Sequence, residues 1–260
     1  MRSPLKDPHD FKSAPVINRI LPNQCEIKSY AFFSGQMEFS LFSKNRNFVF
    51  LTNKIGIYDF WKHVFDNPYV VAKHADAMHK QTTSSVVETY RQDLFTYREP
   101  HMRAAIFYLL NRYSDSGMIS HGNFSLSNYN FLTTHHLSNL NDSEYDFELK
   151  YYPDELSEDG IDYSDPEDVI LLPIGKYKPG LLISGVGNAF DEYSFNHDRL
   201  FNALKEKENR FVICYKADRR LVDICRDYNI VYVNKYGIAT SNILQASEFV
   251  ITNMDVPSDI

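Results

Sequence analysis

The stretch IKSYAFFSGQMEFSLFSKNRNFVFLTNK, residues 27–54, decides the fold. Its apolar runs at residues 30–33 (YAFF) and 48–51 (FVFL) have the length and composition of buried strands, and residues 37–42 (MEFSLF) between them are long enough for a helix. A strand, a turn carrying Gly35, a helix and a second strand make one βαβ unit. The same periods return near the other end. VILLPI (169–174), GLLISG (180–185), FVICY (211–215), IVYVN (230–234) and ASEFVITN (246–253) read as strands, with helices over 197–207 and 219–228. Between the two α/β portions the pattern is helical. Trp61, Val64 and Phe65 share one face, a break falls at Asn67-Pro68, Val86, Tyr90, Leu94 and Tyr97 continue the spacing, and residues 102–110 form a last apolar face.

The expected organisation is an irregular arm (1–15), a Rossmann-like α/β core (16–56 and 165–260), a helical region (57–140) and an acidic surface insertion (141–164). The insertion rests on charge. Residues 142–168 hold twelve acidic side chains against one basic, Lys150, and such a run would repel a DNA backbone that faced it. The whole chain of 260 residues has a formal charge of −7, which argues against a dedicated nucleic-acid binder. With 43% hydrophobic and 23% charged residues it belongs with globular proteins rather than fibrous or disordered ones. No apolar run is long enough for a bilayer, so a soluble, cytoplasmic protein without membrane contact is expected. Cys25, Cys214 and Cys225 lack ligand spacing and read as free buried thiols. His135-His136, with His121 nearby, read as loop histidines, and no metal is expected. Heavy use of Asn, Tyr, Phe, Ile and Lys fits an AT-rich coding genome, as in many phages and large viruses.

The segment AAIFYLLNRYSDSGMISHGNFSLSNYN (104–130) resembles the part of Dam-like adenine DNA methyltransferases just past their DNA-recognition region: a helix ending near F-x-x-L-N-R, a Gly-bearing turn and a short strand beginning G-x-F. Laid along that family from about Lys12 onward, the chain implies a methyltransferase-like sheet with an inserted recognition-type region. Its closing segments HDRLFNAL, FVICYKAD, IVYVNKYGIATSN and ASEFVITN follow in the family's order.

The residues expected to do the chemistry are mostly replaced. The family's Gly-Gly-Lys stretch corresponds to DFKSAPVINRILP (10–22), which keeps only Lys12. The loop E-P-F-x-G-x-G corresponds to YAFFSGQMEF, which keeps Phe33 and Gly35, and a turn glycine alone has a purely structural reading. The ribose-binding acid is Asn53, which lacks the charge of a carboxylate. The tetrad D/N-P-P-Y/F, which orients a flipped-out adenine, has two places, LLPIGK (171–176) and LLISGVGNAF (181–190); neither has it, and the chain contains no Pro-Pro pair.

The resemblance therefore implies a degenerate homologue with vestigial cofactor residues Phe33, Gly35 and Asn53, no catalytic residue, and no cofactor, working through a protein partner or a larger assembly. The alternative is an active S-adenosylmethionine-dependent enzyme that uses the SGVG or PIGK carbonyls, with Phe190 or Tyr177 stacking on the base. The resemblance assigns DNA contacts to Arg91, Asn111 and Arg112 within a basic set that includes Lys80, Arg98 and Arg103; at most they support weak, sequence-independent binding. Arg112 reads equally as a phosphate contact or as a residue paired within the fold.

Overall fold

Side-chain alternation along the strands sets the architecture. β4 (Val169–Gly175) turns Val169 and Leu171 to one apolar layer and Ile170, Leu172 and Ile174 to the other. β5 (Arg210–Lys216) does the same with Val212 and Cys214 against Phe211, Ile213 and Tyr215. Strands buried on both faces read as unbroken apolar runs, and both faces must be covered by helices. A computed structural model describes residues 1–120, 122–140, 146–152, 160–177 and 196–260. With β1 (Cys25–Ser29), β2 (Arg46–Thr52), β3 (Phe147–Tyr151), β6 (Asn229–Asn234) and β7 (Ala246–Thr252), these strands form one seven-stranded sheet in the order β3-β2-β1-β4-β5-β7-β6. β7 runs antiparallel to both of its neighbours, and the other pairings are parallel. The chain is thus an α/β protein with a seven-stranded mixed sheet, an arrangement compatible with a Rossmann-like fold.

One layer holds α1 (Ala14–Ile20), α2 (Gln36–Leu41), α3 (Ile55–Asp66), α4 (Pro68–His79), α5 (Ser84–Asp93), α6 (Pro100–Tyr113) and α7 (Phe131–Ser138). The other holds α8 (His197–Glu206) and α9 (Arg220–Ile224), which bury Leu200, Phe201, Leu204 and Leu221. Local signals start several of these helices. Pro68 and Pro100 occupy first-turn positions, Asn67 caps α4 by accepting from the Val70 amide, and Glu99 caps α6. No helix among the described residues is long and apolar enough to cross a membrane.

Several expectations are corrected. Residues 30–33 are not a strand, because β1 ends at Ser29 and Ala31 turns to a left-handed φ of 59°. Their burial comes from the loop being covered: Phe32 stacks on Phe50 at 4.4 Å, and the Trp61 indole donates to the Phe33 carbonyl at 2.7 Å. The true strand, CEIKS, is disguised by its charges. Within it Lys28 bonds Asp162 and Asp168, each at 2.7 Å. Although burial opposes it, these bonds hold the Lys28 ammonium above its usual pKa, and the Lys28 contact draws the Asp162 carboxyl down to about 2.

The acidic stretch is not simply a surface insertion either. Its residues Phe147–Tyr151 are β3, paired parallel with β2 from Phe48↔Phe147 to Thr52↔Tyr151. Phe147 packs on Phe65 at 4.6 Å and on Phe50 at 5.3 Å, while Glu148 and Lys150 stay exposed, as charges on an edge strand do. The helical block shares its core with the sheet. Phe60, Trp61, Val64, Val71 and residues 104–110 join the same apolar cluster as Ile27, Phe48 and Phe50. The strand expected to begin at Gly122 is a single bridge, Ser114↔Phe124. GLLISG, Ser184 and Phe190 fall outside the described residues.

Candidate functional site

In an open α/β sheet ligands bind beyond the carboxyl ends of the strands where the strand order reverses. Here that place lies between β1 and β4. Ser29, Tyr30 and the loop to α2 form one wall. Gly35 starts α2 at φ 70°, and a Cβ there would lie 2.6 Å from the Phe39 ring, so the turn and the packing both require glycine. Gly175 closes β4 at φ 87° after a register shift between Pro173 and Gly175. It stands at the end of LLPIGK, the described one of the two places for the adenine-orienting tetrad; the other falls outside the described residues.

Behind the loop Glu38 is 3% exposed and accepts a hydrogen bond from the Ser29 hydroxyl at 2.7 Å. Burial pushes its carboxyl up to about 7, and the Asp7 charge adds to the shift.

The crevice is covered by the chain's own residues 1–12. Asp7 and Ser3 bond the hydroxyl and carbonyl of Ser34, and the Gln36 amide reaches Asp10 at 3.3 Å. The His9 ring lies against Gly175 where any other residue would carry its Cβ. The arm is pinned at two points. Asn111, fully buried, accepts from the Lys6 amide at 2.8 Å and donates to the carbonyls of Lys6 at 3.1 Å and Gly117 at 2.6 Å. Glu248, 1% exposed, accepts from the amides of Lys12 and Ser13 and from the Lys216 ammonium. Between the arm, α2 and the ends of α6 and α7 there remains a polar pocket of about 740 Å³, which Lys6, Asp7, Gln36, Arg112 and His136 help to line.

Phe33 and Gly35 therefore share the crevice loop, and Asn53 follows the end of β2 on the same edge of the sheet. The Phe33 carbonyl is taken by Trp61 and Gly35 serves the turn, so the sequence match there has a structural explanation. The residues assigned to DNA are largely engaged in the fold. Asn111 is the arm's clamp; Arg91 donates to the carbonyls of Ile119 and Ser120, pairs with Glu88 and lies over Phe124. Arg103 forks onto Asp59 at 2.8 and 3.1 Å. Arg112 is half-buried on the pocket wall, and burial lowers its pKa. His135 and His136 are exposed on α7 rather than in a loop, and His121 lies outside the described residues. Sequence reasoning missed Glu38, Glu248 and the Lys28 cluster, because each depends on partners that only the fold supplies.

Asn111→Ala is expected to destabilise the chain by about 2–3 kcal/mol, since it deprives three backbone groups of their partner, the buried Gly117 carbonyl and the half-buried amide and carbonyl of Lys6. Urea unfolding measures the loss, and hydrogen exchange should show the Lys6 amide unprotected. A change as small as that of an exposed surface residue would contradict the clamp.

No protein-family model matches the chain, and no curated protein matches it in sequence.

Proposed function

We propose that the chain is a catalytically degenerate homologue of adenine DNA methyltransferases that acts as a binding or structural subunit without S-adenosylmethionine. The covered crevice carries this reading. A cofactor entering between β1 and β4 would have to displace the chain's own residues 1–12, which are bonded to Ser34, Gln36, Asn111 and Glu248. The sequence adds that the tetrad is lost and the ribose acid replaced by Asn53. The doubly wound sheet supports the homology, since its β6–β7 hairpin closes the sheet beyond β5, as the resemblance implies. On this reading α3–α7 correspond to the recognition region, kept as a scaffold rather than as a reader of DNA. A partner protein, or a larger assembly such as a virus particle, would find exposed apolar contacts in Tyr236, Ile238 and Leu244, between β6 and the start of β7.

Calorimetry of the full chain with S-adenosylmethionine is expected to give no binding. Saturable micromolar binding would overturn the reading, as would N6-methyladenine in plasmid DNA co-expressed with the chain, the signature of an active enzyme with a divergent site. An electrophoretic shift with duplex DNA at low salt is likewise expected to give no complex, and Arg112→Ala to change nothing. A complex that survives moderate salt and is lost in that variant would restore DNA reading.

A further inference from the structure

The geometry points to a divalent transition-metal site, of zinc-type chemistry, formed by His63, Asp66 and His101 where the end of α3 meets the start of α6. One nitrogen from each imidazole and one Asp66 oxygen lie within 4.8 Å of one another. His101 Nε2 and Asp66 Oδ2 are 3.5 Å apart. Two ligand atoms bound at about 2.0–2.1 Å to a tetrahedral zinc stand about 3.3 Å apart, so this pair is already spaced to share an ion. The centroids of the two imidazole rings are 5.1 Å apart, with the ring planes tilted by 54°.

Helix geometry sets the ligands side by side, because His63 and Asp66 are three residues apart near the end of α3 and so lie on one face. The surrounding carboxylates are arranged as metal-binding histidines need. Asp59 holds the His63 ring through Nε2 at 3.1 Å, and Asp59 is itself braced by the Arg103 fork. Glu99 holds the His101 ring through Nδ1 at 3.2 Å and its amide at 3.0 Å. A carboxylate on one ring nitrogen fixes the tautomer and aims the other nitrogen at an ion. His101 Nε2, the nitrogen turned to Asp66, is buried and has no hydrogen-bond partner. Asp66 is 70% exposed, which gives an ion a way in and leaves the fourth position to water.

Two imidazoles and one carboxylate select a borderline cation over magnesium or calcium, which take oxygen ligands. The site lies away from the covered crevice. α3 begins beyond the carboxyl end of β2 and runs back, so that Phe65, next to Asp66, packs on Phe147 at the first position of β3. An ion there would tie two helices of the crossover together.

The test is zinc titration of the chelator-treated, untagged full chain against a chromophoric zinc chelator, followed by cobalt substitution. One equivalent is expected to bind, weakened at least 100-fold in His63→Ala and in His101→Ala and unchanged in the His135→Ala/His136→Ala double variant. Bound cobalt should give the visible bands of a low-coordinate site, and these should disappear in Asp66→Ala, a substitution at an exposed position whose circular dichroism is expected to match that of the parent. Absence of saturable zinc binding overturns the proposal. So does binding of equal affinity in the His63→Ala/His101→Ala double variant, or cobalt bands that persist in Asp66→Ala.

Discussion

Glu248→Ala is expected to destabilise the chain by about 3–5 kcal/mol, the range for breaking a buried ion pair from one side. The carboxylate sits on β7 at 1% exposure and has three sets of donors: the Lys12 amide at 2.9 and 3.0 Å, the Ser13 amide at 3.0 Å and the Lys216 ammonium at 2.9 Å. Alanine removes every acceptor at once. It strands two amides at the entry to α1 and leaves Lys216 with the Asp10 carbonyl at 3.3 Å and the Phe11 ring. Glu248→Gln keeps one carbonyl oxygen but turns an NH2 toward these donors, and an intermediate loss is expected. Urea midpoints at constant m-value measure both variants. A loss below 1 kcal/mol in Glu248→Ala would mean that the arm contributes little to the folded state.

Glu38→Gln should act in the opposite direction and only above a definite pH. The folded carboxyl titrates at about 7, against an ordinary value of 4.5. Between these values the folded chain keeps a proton that the unfolded chain has released, so stability falls as pH rises from 4.5 to 7 and is level beyond. The shift corresponds to about 3 kcal/mol of destabilisation at pH 8 relative to pH 4. Glutamine stays neutral and can still accept from the Ser29 hydroxyl, so the variant should lose this slope and melt higher than the parent at pH 8. Thermal melts across pH 4 to 8 decide it. Parallel curves for parent and variant would show that Glu38 is ionised in the fold.

Five of the seven strands were legible because burial on both faces, or on one face of the edge strand β6, leaves apolar runs such as VILLPI and FVICY. β1 and β3 were not. In β1 the charge of Lys28 is answered by Asp162 and Asp168, and in β3 the charges of Glu148 and Lys150 are exposed, alternating along the strand with Phe147 and Leu149. Each was obscured by its own charges, which read as solvated surface until their surroundings in the fold are known. The crevice was legible as a glycine turn inside a βαβ unit, and Gly35 stands at that turn. Its covering was not, since the decisive bonds span 105 residues from Lys6 to Asn111 and 236 from Lys12 to Glu248. No local pattern encodes contacts of that separation. The grouping of His63 with His101 is hidden in the same way, with only the H-x-x-D spacing visible.

The covering arm also imposes an order on events during translation. Residues 1–12 leave the ribosome before Asn111, Gly175 and Glu248 have been made. At roughly 5–20 residues per second of synthesis, the arm spends many seconds without its docking sites. Until β7 joins the sheet, the Lys12 and Ser13 amides lack the Glu248 carboxylate that holds them in the folded chain.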